Sequence, residues 1–192
     1  MPLWGKTNTV SARPKYLSYK DDELVYADPR GWIKAVRKAD GSTKSEEVLV
    51  AIKGLSDLVG GATPVAVYFD AAAYDSDDVV TLTIEYDEEL QFTGTVNASN
   101  LTAVGVTRGG SPQAFAYASG LDANKEGNVL NFTSTLTGVG ALVIGDITVT
   151  LGGGLTVADN TGTGTVDLVT DTDQNLGAGG TGAYAAITVT SA

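Results

Sequence analysis

The sequence predicts a mainly β protein: an extended N-terminal arm and a hairpin, then an antiparallel β-sandwich of immunoglobulin-like or jelly-roll-like type. Three observations carry this. Gly reaches 24 of 192 residues, and with Thr, Val and Ala it dominates the second half, the palette of short strands and tight turns. Thr81-Leu82-Thr83-Ile84 and Ile147-Thr148-Val149-Thr150 alternate strictly, as half-buried antiparallel strands do. Turn clusters recur at the intervals of a sandwich. At this length one domain with an appended arm can bury a core without staples.

Three segments follow in order. Residues 1–30 read as an extended arm. Pro14 holds its predecessor extended, and Trp4, Tyr16, Leu17 and Tyr19 are anchoring side chains that must pack on the body or on a partner. Residues 31–63 read as a hairpin and linker. Gly31 to Arg37 alternates apolar and charged residues, Asp40-Gly41 is a turn dipeptide, and Glu47 to Ile52 returns with β-branched residues. A helix competes there, because Thr43-Lys44-Ser45-Glu46 fits a capping box and Val48, Ile52, Leu55 and Val59 fit helical spacing. Residues 64–192 read as the sandwich. Its strands are expected at 65–69, 79–86, 90–96, 101–106, 113–118, 129–136, 141–151, 163–170 and 183–190. The expected core is Val79, Leu82, Ile84, Phe92, Val104, Val106, Phe132, Leu136, Ile144, Ile147, Val149, Leu155, Val166, Leu168, Ile187 and Val189.

Composition removes much chemistry. There is no Cys, hence no disulfide and no thiolate metal site, and no His, hence no Ser-His-Asp triad, imidazole base or imidazole zinc ligand. The expectation is a non-enzyme without cofactor. Residues 1–20 have no apolar core of a signal peptide, and apolar runs such as Gly138 to Ile144 are far too short to span a membrane, so synthesis in the cytoplasm is expected.

Charge divides sharply. Residues 1–53 hold ten basic and seven acidic residues, a net of +3. Residues 54–192 hold only Arg108 and Lys125 against sixteen acidic residues, a net of −14. An acidic body stays soluble and repels nucleic acid, while a basic arm can lie along an acidic neighbour.

Candidate sites are few. Asp171, Asp173 and Asn175 alternate as calcium ligands do, but Gly177 comes one place late for a calcium loop and position twelve is Gly182, so a solvated turn is the stronger reading. Asp70, Asp75, Asp77 and Asp78, and then Asp87, Glu88 and Glu89, are acidic runs at expected strand ends. Paired carboxylates can work on glycosides, but solvated turns that block edge pairing explain both runs. No phosphate-binding loop is present.

The N-terminal stretch Pro2-Leu3-Trp4-Gly5-Lys6-Thr7, then Ala12-Arg13-Pro14-Lys15-Tyr16-Leu17, resembles the start of small virion proteins of tailed phages, notably those of marine bacteria and cyanobacteria. In those proteins a Gly-Trp, here Gly31-Trp32, begins a hairpin that a strand like Glu47 to Ile52 closes. The resemblance covers about the first 55 residues. It implies a structural protein of the particle, most plausibly a capsid decoration or cement protein on the outer surface of the head. Its partners would be the major capsid protein and itself, with a trimer the first guess, and neither nucleic acid nor membrane. The capsid contacts so implied are Trp4, Lys6, Arg13, Lys15, Tyr16, Leu17, Tyr19 and Trp32. A head-fibre, neck or tail adhesin that binds carbohydrate or host surface is the alternative, with Tyr74, Tyr117 and Tyr184 as its loop aromatics.

Overall fold

The computed structural model describes residues 23–37, 43–55, 61–71, 73–159, 166–168, 175–176 and 186–191. They are almost entirely β. Thirteen strands belong to one mixed sheet.

The chain enters with a three-stranded meander. β1 (Glu23–Asp28) and β2 (Gly31–Arg37) pair antiparallel around the two-residue turn Pro29-Arg30, and β3 (Thr43–Ala51) pairs with the far side of β2. The strand β1 takes the last part of the segment expected to be an irregular arm. Its Leu24, Val25 and Tyr26 supply the β-forming residues, and β2 supplies the hydrogen bonds. Gly31 is required at the turn: its φ is +137°, and a Cβ there would sit 2.0 Å from the Val50 carbonyl oxygen. The helix suggested by the capping box does not form. Val48 and Val50 instead pair with β2, with a bulge that leaves Leu49 between their partners Ile33 and Trp32.

The body follows. Its strands are β4 (Pro64–Phe69), β5 (Ala73–Asp75), β6 (Val79–Thr93), β7 (Leu101–Arg108), β8 (Ser111–Ser119), β9 (Glu126–Thr135), β10 (Gly140–Leu151), β11 (Thr156–Asp159), β12 (Asn175–Leu176) and β13 (Ala186–Thr190). The main path runs β3-β2-β1-β6-β9-β8-β7-β10-β13-β5, with β4 and β11 along β6 and β12 along β4. Most pairs are antiparallel, but β1–β6, β12–β4 and β13–β5 are parallel, so the sheet is mixed rather than purely antiparallel. Phe69 of β4 and Phe115 of β8 bring their rings to 6.4 Å although two strands separate them in the sheet. The sheet therefore curls over a single interior, as a sandwich does. That interior holds Val67, Leu82, Ile84, Leu130, Phe132, Leu142, Ile147, Val149, Ile187 and Val189, among others.

Two expected core residues face outward. Val79 is 56% exposed because Val80, its neighbour in the alternation, takes the inward place. Val104 is 41% exposed because Leu101 and Ala103 point inward and Gly105 then shifts the phase, so that Val106 returns to the core. Gly105 has φ +122°, and a Cβ there would lie 2.1 Å from the Asp146 carbonyl oxygen, so the irregularity between β7 and β10 needs glycine. Val166 and Leu168 are partly buried against the core but stand in no strand, and most of the strand expected over 163–170 falls outside the described residues.

Candidate functional site

The principal corrected feature lies in the middle of β6. Asp87, Glu88 and Glu89 were expected to be a solvated turn between two strands. Instead β6 runs unbroken for fifteen residues, and Glu85, Asp87 and Glu88 are completely buried. The stretch Glu85 to Leu90 contains no Gly, Pro or Asn to make a turn, and the alternation of Leu82, Ile84, Tyr86, Leu90 and Phe92 keeps its phase through it. That continuity was the legible signal, and the charge run concealed it.

β6 does not pass straight through. Glu85 pairs with Val129 and Leu90 pairs with Gly127, so four residues of β6, Tyr86 to Glu89, stand against Asn128 alone. This kink is where three elements meet. β4 occupies the edge of β6 up to Tyr86, β11 occupies it from Leu90, and β1 enters the gap between them with the single parallel pair Ala27–Glu88. Asp87 is held by residue 63: its backbone N–H donates to the Thr63 carbonyl at 3.0 Å, and its carboxylate accepts the Thr63 N–H at 2.7 Å and the Thr63 hydroxyl at 3.1 Å. Glu85 accepts the Tyr68 hydroxyl at 2.9 Å. On the core side the Tyr86 hydroxyl is buried with no hydrogen-bond partner among the described residues, and burial together with the charge of Asp167 pushes its pKa up.

The meander joins the body at this kink and carries its own small interior of Val25, Ala27, Trp32 and Leu55, backed by Leu49, Val50 and Ile52. Its β1–β2 turn is tied to β3 by ionic contacts. Arg30 donates to both oxygens of Asp28, at 2.8 and 2.9 Å, and to Glu46 at 2.6 Å, and Tyr26 donates to the other Glu46 oxygen at 2.9 Å. Burial alone would raise the pKa of Asp28, but the hydrogen bonds and charge of Arg30 outweigh it and hold the carboxyl below its ordinary value. The same partners, Asp28 foremost, raise the pKa of Arg30.

The residues expected to bind a partner fall in two groups. Trp4, Lys6, Arg13, Lys15, Tyr16, Leu17 and Tyr19 lie outside the described residues. Trp32 is fully buried between Ala27 and Val50, so it is a core residue of the meander and offers no surface to a capsid. Its apolar bulk beside a turn made it look like an anchor, and it does anchor β1 to β3.

The remaining candidates separate as well. Asp171 and Asp173 lie outside the described residues, and Asn175 starts β12 against Ala66. Among the described residues no three carboxylates converge as a metal site requires. Asp70, Asp75, Asp77 and Asp78 are exposed. Asp75 and Asp78 are tied into the turn that precedes β6, and Asp70 accepts the Tyr74 hydroxyl. Tyr74 and Tyr117 are half-buried against the core, Tyr117 edge-on to Phe132 at 6.4 Å, and Tyr184 lies outside the described residues. No helix among the described residues is long and apolar enough to cross a membrane.

Protein-family models, characterised proteins and solved structures give no match to this chain.

Proposed function

We propose that the chain is a structural protein of a bacteriophage particle, a decoration or cement protein that binds the major capsid protein from outside through its N-terminal segment. One observation carries the reading: the division of charge follows the division of structure. The net +3 belongs to the arm and the meander, and the net −14 belongs to the curled sheet that follows. A repeated coat component needs an attachment segment and a soluble, inert outward body, and many weak copies add up through multivalency. The N-terminal resemblance to small virion proteins supports the same reading. The adhesin alternative draws less support, because Tyr74 and Tyr117 pack on the core instead of standing free at loop tips.

The test is co-sedimentation of the full chain with capsids, comparing the unaltered protein with Trp4→Ala/Lys6→Glu. The expected result is binding by the unaltered chain and at least ~10-fold weaker binding by the variant, the scale of losing one anchoring aromatic. Equal binding by both would remove the N-terminal anchor, and binding by neither would remove the capsid reading.

A further inference from the structure

We propose that the outer face of the four neighbouring strands β8, β7, β10 and β13 docks a second copy of this chain, sheet on sheet about a two-fold axis. The inference concerns the free chain and is independent of the particle reading.

The first argument is the distribution of charge. The inner side of these strands gives Phe115, Val106, Leu142, Ile147 and Ile187 to the core. Asp146 apart, every exposed residue of the four strands is Ala, Thr, Val, Ser or Pro. Arg108 and Asp146 are their charged residues and cancel, so the whole −14 of residues 54–192 lies elsewhere in that segment. Two such bodies repel wherever their acidic surfaces meet, and the repulsion is least where this face meets its copy. A basic partner would be drawn to the acidic remainder instead. The face therefore suits a partner as acidic as the chain itself, and a second copy is such a partner.

The second argument is shape and area. Val104 and Val143 stand exposed on the neighbouring strands β7 and β10. Val104 lies opposite Thr148, and Val143 lies opposite Thr107 on one side and Ala186 on the other. No side chain in these rows is longer than valine, so the face has low relief. Such a face fits its own copy at the ~10 Å spacing of packed sheets. Strands of 8, 9, 12 and 5 residues make up the face. At about 3.3 Å per residue and about 4.8 Å between strands they form a plane on the order of 500 Å². That approaches the roughly 600 Å² per partner of the smallest specific interfaces, so the expected dimer is a weak one. One copy covers the face, so the contact closes at two.

Sedimentation velocity of the full chain tests this in the absence of capsids, so its outcome is separate from that of capsid binding. The expected result is a reversible dimer that forms as the concentration rises towards about 1 mM. Added salt should tighten it, because salt screens the two acidic bodies from each other. Val143→Glu/Thr148→Glu should weaken the dimer at least ~10-fold. Val48→Glu/Val79→Glu puts the same charges at exposed valines of β3 and β6, away from the face, and should change it less than ~3-fold. Asp146→Asn, which removes the acid of these strands, should tighten it. A chain that stays monomeric throughout overturns the proposal, and so does a dimer that both double variants weaken equally. A dimer that salt or Asp146→Asn loosens overturns the charge argument, and a trimer or larger species overturns the two-fold assignment.

Discussion

The meander and the curled sheet solve the same problem, a buried β interior, in opposite ways. The meander is local: β1, β2 and β3 are consecutive, each pairs with the next, and one tryptophan fills most of the interior. The body is non-local: β6 pairs with β4, β9 and β11, and β7 pairs with β10, so its core closes only when distant segments meet. Charge follows the same line. The meander keeps arginine and glutamate in contact at its tip, whereas β8, β7, β10 and β13 expose Thr, Ala and Val and carry only Arg108 and Asp146 as charged residues. Among the described residues the strand pairing between the two regions is the parallel pair Ala27–Glu88 at the β6 kink. Strands that pair in chain order can lose their own packing while the long-range pairs of the body persist, which makes the meander the more separable of the two.

The largest expected effects test whether the two interiors are separable. Phe132→Ala and Trp32→Ala should each cost about 3–5 kcal/mol, the scale of truncating a buried aromatic. Hydrogen exchange should distinguish them. Phe132→Ala is expected to lower protection across β6 to β10. Trp32→Ala should lower it in β1 to β3 and around Glu88, while β7 and β10 keep theirs. Uniform loss in both variants would mean a single cooperative unit.

A middle-sized effect concerns how the body keeps its phase. Gly105→Ala forces a Cβ against the Asp146 carbonyl at a strained φ, and is expected to cost about 2–4 kcal/mol in denaturant unfolding. Gly110→Ala, with φ +83° and open space around it, should cost only about 1 kcal/mol. Equal costs would show that the β7 irregularity is set by something other than the missing Cβ.

The smallest effect belongs to the tip of the meander. Arg30→Gln should cost about 1 kcal/mol at pH 7, since the arginine is half-exposed and its ion pairs are screened. The sign with pH follows from Asp28. Its folded pKa lies below the ordinary 3.8, so its contribution is present above that value and is lost as the pH falls through the folded pKa. The difference between Arg30→Gln and the unaltered chain should therefore shrink in acid. A difference that stays constant down to pH 2 would show that packing of the arginine stem dominates.

Much of this architecture was legible in the sequence. The alternating segments of β4, β7, β8, β10 and β13 stand where the pattern put them, and Asp40-Gly41 lies between two paired strands. The failures share a cause. Glu88 and Trp32 are residue types whose usual places are surface turns and partner contacts, and each was read by type. Their burial depends on partners far away in the chain, β1 for Glu88 and β3 for Trp32, and no local pattern reveals these. Val104 failed for a different reason: a single glycine changed the phase of an otherwise regular strand.

The most direct test of the account is hydrogen exchange of the full chain, free and bound to capsids. The account predicts new protection confined to residues 1–53, with β7 and β10 unchanged. Protection on β7 and β10 with no change before residue 54 would contradict it and make the curled sheet the attachment surface.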